Sequence, residues 1–274
     1  MPCPAKIIRV FPRKTNATPD DDLVRIGVVP TLFDEADEIH VSVTFTWDLP
    51  LAEKLAKAWA PVAPVRVGGP ATGEKGGEFT PGMYVKPGYL IHSRGCPNSC
   101  WFCCERETEL KLLTIHEGYN DISSNLLACP DDHIKNVFAA MQRGKKIYGH
   151  PIEFTGGLEA KRLEWWHVQE LKKLHPKQLF FAYDTSDDWH WLYAAGWMLI
   201  AGGFTLASHA LRAYVLCGYP KDTFAAAEMR MRETMQAGFM PMAMVYRDAE
   251  GNKPSGWAAW QRQWARPSIM AGKS

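Results

Sequence analysis

The sequence predicts an α/β fold: a partial barrel of parallel strands preceded by a smaller α/β unit. Three observations carry that expectation. From residue 88 onward, short apolar runs alternate with helix-length segments. The loops between them are short, which favours parallel strands joined by right-handed crossovers. A stretch rich in Gly and Pro, residues 68–88, separates this region from an earlier strand–helix–strand sequence.

Taken in order, residues 6–12 read as a short strand, and a polar loop rich in Pro and Asp follows. Residues 39–46 alternate apolar and polar and are rich in β-branched side chains, the pattern of a half-buried strand. Residues 51–60 read as a helix and 65–69 as the next strand with its turn, which completes a small βαβ unit. In the second region the expected strands are 89–92, 125–128, 152–155, 179–183, 213–216 and 242–246. The expected helices are 131–144, 159–174, 188–201 and 222–237. Asp131, Asp188 and Asp222 are the expected N-caps, since a short carboxylate accepts from free first-turn N–H groups. Six strands fit an open, partial (β/α)6 TIM-like barrel better than a closed eight-stranded one. The expected boundaries are 1–80 for the N-terminal unit, 81–250 for the partial barrel and 251–274 for a Trp-rich helix or tail. In that tail the 3/4 spacing of Trp257, Trp260 and Trp264, beside Arg262 and Arg266, puts the tryptophans on one helix face. They would pack over the barrel or present a stacking surface for a base.

With 274 residues, 46% hydrophobic and 22% charged, the chain can bury a well-packed core. The net charge is +1 and the Lys and Arg residues are dispersed, so stable nucleic-acid binding is not indicated. The first residues carry no apolar signal region, and the longest candidate run, 194–201, is too short to span a bilayer. A cytoplasmic protein without a membrane partner is expected.

Four of the seven cysteines, Cys96, Cys100, Cys103 and Cys104, fall within nine residues; Cys3, Cys129 and Cys217 lie apart. In a reducing compartment such a cluster binds metal more often than it forms disulfides. Cys96, Cys100 and Cys103 are spaced C-x3-C-x2-C directly after the first strand of the barrel region, where βα loops carry functional groups. Three thiolates hold an iron–sulfur cubane and leave one iron open to a further ligand. A zinc site with Cys104 or a His as fourth ligand is the competing reading, but no second C-x-x-C or His pair stands at zinc spacing. Cys104 reads as a packing thiol or one just beyond the cluster, and Cys217 as a small buried hydrophobe.

The segment Arg94-Gly95-Cys96-Pro97-Asn98-Ser99-Cys100-Trp101-Phe102-Cys103 resembles the radical S-adenosylmethionine (SAM) superfamily, with the aromatic Phe102 just before the third cysteine. The likeness is to the branch of cobalamin-binding members and methylthiotransferases, and to small phage-associated members. It covers residues 88–250. It implies a 4Fe–4S cluster on Cys96, Cys100 and Cys103, SAM at the open iron, and an electron donor such as flavodoxin or ferredoxin. It further implies that Gly156 and Gly157 contact SAM, with Glu159 beside them, although the run here is Gly-Gly-Leu-Glu rather than Gly-Gly-Glu. A plain turn into the next helix is the alternative at these positions. Asp184 would meet ribose hydroxyls or a substrate amine, or else cap a helix. Gly218 would let the adenine approach between Leu216 and Tyr219. Asn125 and Asp121 would supply a polar pair near the second strand, and His92 a structural contact. No catalytic residue is assigned.

Residues 1–80 resemble a truncated, degenerate Rossmann-like cobalamin-binding unit. The Asp-x-His-x-x-Gly signature of that domain is missing, so no cobalamin is expected. The implied reaction is reductive cleavage of SAM to a 5′-deoxyadenosyl radical that takes hydrogen from a small substrate. A modified nucleobase, nucleotide or amino-acid adduct fits, with isomerisation or modification as the outcome. The alternatives are methylthiotransferase-like or methyltransferase-like activity, and a non-catalytic iron–sulfur or zinc protein.

Overall fold

The computed structural model describes residues 5–73, 77–103 and 105–264, so the expectations placed on Cys3, Cys104 and Arg266 fall outside the described residues. The chain forms two compact units, Met1–Pro87 with Ala249–Gly251 and Gly88–Asp248 with Asn252–Ser274. Among the described residues no helix is long and apolar enough to cross a membrane.

In the first unit, strands β1 (Ile7–Phe11), β2 (Val24–Ile26), β3 (Glu38–Ser42) and β4 (Val65–Gly68) form a parallel sheet in the order β2-β1-β3-β4. Helix α1 (Leu49–Trp59) runs between β3 and β4. Its Ala52, Leu55 and Trp59 recur at 3/4 spacing and bury against Ile8, Val10, Ile39 and Val41. The Trp59 indole N–H donates to the Val28 carbonyl at 3.0 Å, so the largest core residue leaves no polar group stranded. Strand β2 lies in what reads from sequence as a loop. Three residues are too few to show an alternation, and β2 is fixed from outside, by Arg9 N–H donating to Leu23 O and Gly27 N–H to Phe11 O, each at 2.8 Å.

The second unit holds β5 (Tyr89–Leu90), β6 (Ser93–Arg94), β7 (Lys111–Leu112), β8 (Asn120–Asp121), β9 (Glu153–Leu158), β10 (Gln178–Tyr183), β11 (Leu211–Cys217) and β12 (Met240–Val245). Its helices are α2 (Asp131–Tyr148), α3 (Trp165–Leu174), α4 (Trp189–Ala201), α5 (Phe224–Gln236) and α6 (Trp257–Arg262). Six strands form one sheet in the order β12-β11-β10-β9-β8-β5, with every neighbouring pair parallel. The mixed α/β class with parallel sheets is as expected. The sheet is open, with β5 and β12 at its edges, and the described residues close no barrel. The short pair β6 and β7 is antiparallel.

Several boundaries move. The second strand of the sheet is β8, and the expected 125–128 strand contains a 3-10 turn, Leu126–Ala128. Asn120 and Asp121 hide β8 from a hydrophobicity reading because they are polar yet buried, at 1% and 2% exposure. Asn120 Oδ1 accepts from Thr155 Oγ1 at 2.9 Å, which offsets the burial. Helix α2 runs through Gly144, where a side chain would strike the Gly118 backbone, and ends at Gly149 with φ +66°. Helix α3 starts six residues later than expected, because Glu164 and His167 form a reciprocal cap at its N-terminus.

The expected N-caps also change. Asp131 is already helical after Pro130, and Asp188 accepts instead from Thr185 N–H at 3.0 Å. Thr223 caps α5 through the Ala226 N–H at 3.1 Å. Trp257, Trp260 and Trp264 are buried and pack ring to ring, with Phe224 against the first two. That is the packing reading of the tryptophan face.

Gly196 in α4 sits where an added Cβ would run into the Ala237 carbonyl after α5. Gly196→Ala should therefore lower the unfolding free energy by about 1–3 kcal/mol, and with it the denaturant midpoint, despite the better helix propensity of Ala. Urea unfolding followed by circular dichroism measures it; an unchanged or raised midpoint would show that α4 and α5 separate freely.

Candidate metal centre and cofactor site

The cysteine loop leaves β6 and returns at β7, so the Ser93–Leu112 and Arg94–Lys111 pairs clamp its stem. Gly95 enters it at φ +83°, and a side chain there would collide with the Glu109 carbonyl. The loop then bonds to itself. Cys96 N–H donates to Thr108 Oγ1 at 2.9 Å, and Thr108 N–H returns to Cys96 O at 3.0 Å. Gly95 N–H donates to Glu105 Oε2 at 3.1 Å, and Cys103 N–H to Cys100 O at 3.0 Å. Cys96 and Cys103 are half-buried, Cys100 is exposed, and none of the three is in a disulfide.

Asn125, at the turn after β8, is 4% exposed and donates its Nδ2 to Cys96 Sγ at 3.4 Å and to Glu159 Oε2 at 2.7 Å. Glu159 also accepts from Arg162 Nε at 2.7 Å and lies 3.7 Å from Lys161 Nζ. Asn125 Oδ1 is buried without a hydrogen-bond partner, an acceptor left for a ligand, while Glu159 Oε1, buried and without a hydrogen bond, faces the Lys161 ammonium. Gly156 and Gly157 divide in role. A Cβ on Gly156 would meet Ser123 O at 2.5 Å, so this glycine serves the close approach of β9 to the 122–123 backbone. Gly157 has φ +92° and open space around it, as a strand-end backbone facing a ligand requires. Asp121 does not join this group. It lies under the loop, taking His92 Nδ1 at 2.6 Å and Ser123 Oγ at 2.9 Å, and both it and His92 are buried. His92 is structural, as expected.

Asp184 follows β10. Burial pushes its carboxyl up to about 7, with Asp188 adding to the rise and Arg230 opposing it. Partial desolvation raises the Cys100 thiol, and the charges of Asp184 and Cys96 push it the same way. Gly218 follows β11 with φ +73°, and its N–H donates to Asp222 Oδ2 at 2.7 Å. Asp222 pairs with the buried Arg230 at 2.7 Å, and Arg230 reaches Leu216 O at 3.0 Å. The Arg230 guanidinium lies 5.2 Å over the Tyr219 ring. This network shapes a cavity of about 290 Å³ bounded by Gly218, Tyr219, Lys221, Tyr246, Pro254 and Trp257. Trp101 stands edge-on to Tyr219 at 5.8 Å and to Phe102 at 5.4 Å, so the cavity wall meets the cysteine loop. Cys217 is buried, with its thiol pushed up to about 12 by burial, and is no ligand.

The structure thus joins Cys96, Asn125 and Glu159 directly, and brings Phe102 to Tyr219 through Trp101. Trp101, Tyr246, Arg162 and Arg230 escape the sequence reading. Trp101 occupies an unconstrained position of the cysteine motif. Arg230 shows only as a lone cation on a helix face that is otherwise buried.

The donor set fits an iron–sulfur cluster. Among the described residues no three His, Cys, Asp or Glu side chains converge on a single ion. A cubane asks for something else, since each thiolate takes its own iron and the sulfurs stand apart. The amide hydrogen bond to Cys96 is the kind of outer contact that orients and tunes a ligating sulfur.

The raised Asp184 makes a pH prediction. The folded state holds this proton more tightly than the unfolded chain does, so stability falls as pH rises from about 4 to about 7. Relative to wild type, Asp184→Asn should gain up to about 4 kcal/mol between pH 4 and pH 8, read from urea midpoints of the cluster-free protein. An identical pH dependence in both proteins would contradict the buried neutral carboxyl.

No protein-family model and no curated protein matches the sequence. Solved structures do match. The radical SAM methyltransferase TsrM from Kitasatospora setae, with cobalamin and a [4Fe-4S] cluster bound, superposes with a TM-score of 0.59 at 9% identity, over 86% of this chain and 74% of that one. The same enzyme with tryptophan substrate and a SAM analogue gives 0.59 at 9% identity, over 87% and 72%. A match of this span exceeds the second unit and extends into the first. It contradicts the expectation, drawn from the missing Asp-x-His-x-x-Gly signature, that this chain binds no cobalamin, because the matching structure holds one. By its structure, the chain has the fold of a radical SAM enzyme.

Proposed function

We propose that this chain is a radical SAM enzyme, with Cys96, Cys100 and Cys103 as the ligands of a 4Fe–4S cluster and SAM bound beside it. The observation that supports it best is Asn125, whose single amide ties the Cys96 sulfur to the Glu159 carboxylate. The bound groups would supply one-electron cleavage of the sulfonium C–S bond to a 5′-deoxyadenosyl radical. The chain's own residues do the positioning. Glu159, held by Asn125 and Arg162, offers an acceptor to the SAM amino group, and Gly157 lets backbone approach it. Asp184, protonated up to about pH 7, offers a hydrogen bond to ribose or substrate. Tyr219, Tyr246 and Trp257 line the cavity with aromatic surface for a planar ring, Gly218 makes room for the Trp257 ring in that wall, and Phe102 and Trp101 exclude water between ring and cluster.

In this reading the open six-stranded sheet is a partial (β/α)6 barrel, residues 1–80 are a truncated Rossmann-like unit, and a flavodoxin or ferredoxin supplies the electron. The substrate is a small or nucleotide-like molecule that undergoes isomerisation or modification.

A second reading, methyl transfer with a corrinoid, has its own support. The sheet order β2-β1-β3-β4 is that of a doubly wound domain, which binds ligands beyond the carboxyl ends of its strands. The loop after β2 exposes Val28, Val29, Leu32 and Phe33, the last two at 99% and 92%, an apolar ledge that a macrocycle would cover. His40 is already engaged by Tyr84 Oη at 2.6 Å and Glu38 Oε2 at 2.9 Å. The residues therefore fit a corrinoid through apolar contact rather than through an imidazole ligand.

Anaerobic reconstitution with iron and sulfide, followed by SAM and dithionite, should give 5′-deoxyadenosine. Cys100→Ala should abolish it, and Asn125→Ala should lower its rate roughly 10–100-fold while iron content holds. Wild-type protein that binds zinc in place of iron would remove the reading. Retention of hydroxocobalamin through gel filtration, lost in Phe33→Asp, would select the second reading; no retention would reject it.

A further inference from the structure

The cavity beside Tyr219 lies past the carboxyl ends of β11 and β12, where open parallel sheets take ligands. Its volume of about 290 Å³ is near the lower end for small-molecule sites. Tyr219, Tyr246 and Trp257 wall it, and the hydroxyls of the two tyrosines make no hydrogen bond among the described residues. Lys221 stands in the lining in an unusual backbone state. Asp222 N–H donates to Tyr219 O at 2.9 Å, which closes a turn with Pro220 second and Lys221 third. Lys221 has φ +72°, in the left-handed region that such turns give to Gly or Asn at this place. Strain of this kind gathers at ligand-binding turns. Lys221 is exposed, and among the described residues it forms no ion pair or hydrogen bond.

The cavity offers no free acid to match this cation. Asp222, the carboxylate in the lining, is 1% exposed and takes Gly218 N–H, Thr223 N–H and Arg230. The surroundings are positive as well. Lys253 precedes the lining residue Pro254, and Arg247 follows the lining residue Tyr246. Burial lowers the Lys253 ammonium, and the charges of Arg247 and Arg262 push it the same way, so these three cations share one neighbourhood. After Glu250 the chain carries Lys253, Arg262, Arg266 and Lys273 and no Asp or Glu.

We infer that this cavity takes an anionic ring compound, its ring against Tyr219, Tyr246 and Trp257 and its phosphate or carboxylate at Lys221. An ammonium acts as a point charge and accepts either oxyanion. The ligand's role as substrate rests on the radical SAM reading, in which SAM is a net cation and is disfavoured by a cationic rim. Trp101 joins the same wall to the cysteine loop, at 5.8 Å from Tyr219 and 6.1 Å from Tyr246.

Isothermal titration calorimetry of the cluster-loaded full chain at low salt tests this. The probes are inosine 5′-monophosphate against inosine, and indole-3-carboxylate against indole. In at least one pair the anion should bind roughly 5–20-fold tighter than its neutral parent. A preference in the first pair selects phosphate, and in the second carboxylate. Lys221→Gln should remove the preference and Lys221→Arg should keep it. Lys221→Gly, which suits positive φ, should remove it with a urea midpoint at or above that of wild type. Lys146→Gln, at an exposed cation of α2, should leave it intact and controls for net charge. No preference in either pair, or one that survives both Lys221→Gln and Lys221→Gly, would overturn the inference. 5′-Deoxyadenosine formed by a protein without the preference would overturn it and leave the radical SAM reading standing. The preference without 5′-deoxyadenosine would keep the anion site and remove that reading.

Discussion

Asn125 gives its one amide group to two partners, the Cys96 sulfur and the Glu159 carboxylate, and the rest of the site depends on both contacts holding. They require the turn after β8 and the end of β9 to come unusually close. Gly156 permits this, because any side chain there would strike the 122–123 backbone. From the other side, the Asp121–His92–Ser123 cluster fixes the same turn to β5, just ahead of the cysteine loop. A buried carboxylate held by three hydrogen bonds from two residues tolerates little repacking, since removing one partner leaves a buried acceptor unsatisfied. The geometry at Cys96 is therefore inherited from strand spacing two layers of contact away.

A second set of buried polar groups organises the far end of the sheet. Arg230 is 4% exposed and spends its donors on Asp222 and the Leu216 carbonyl, while its face covers Tyr219. A guanidinium suits this place because its planar fork can bond in the ring plane and stack across it at once. Asp222 in turn takes the Gly218 N–H, where the chain turns at positive φ and the Trp257 ring packs against the bare glycine. Between the two sets stands Asp184, whose carboxyl burial raises to about 7, with the charge of Asp188 adding to the rise.

How much of this was readable from sequence follows from which forces write themselves locally. The cysteine spacing is chemistry along the chain, so the three cysteines proposed as ligands stand out at once, and the loop's place after a strand could be read with them. The apolar strands β10 and β11 announce themselves through burial on both faces. Strand β8 does not, because Asn120 and Asp121 are inside for reasons of hydrogen bonding that only the folded partners reveal. The caps failed likewise. Asp188 and Asp222 look like helix starters, yet tertiary partners, the 184–185 backbone and Arg230, claim their carboxylates. Glu159 was legible as a candidate and ambiguous in role until Asn125 was seen to reach it. Trp101 and Tyr246, remote in sequence, share a wall only in three dimensions. The expectation of no corrinoid rested on one missing four-residue signature, and it conflicts with the cobalamin held by a structure of the same fold.

The cysteine loop has one more consequence. Its stem is zipped by β6 and β7, its turn is set by Gly95, and its interior is closed by Thr108, Glu105 and its own backbone. Small zinc modules, by contrast, gain their shape from the metal and unravel without it. Here the hydrogen bonds of the loop run between its own backbone and the side chains of Glu105 and Thr108, so its shape is written into the polypeptide from Gly95 to Leu112.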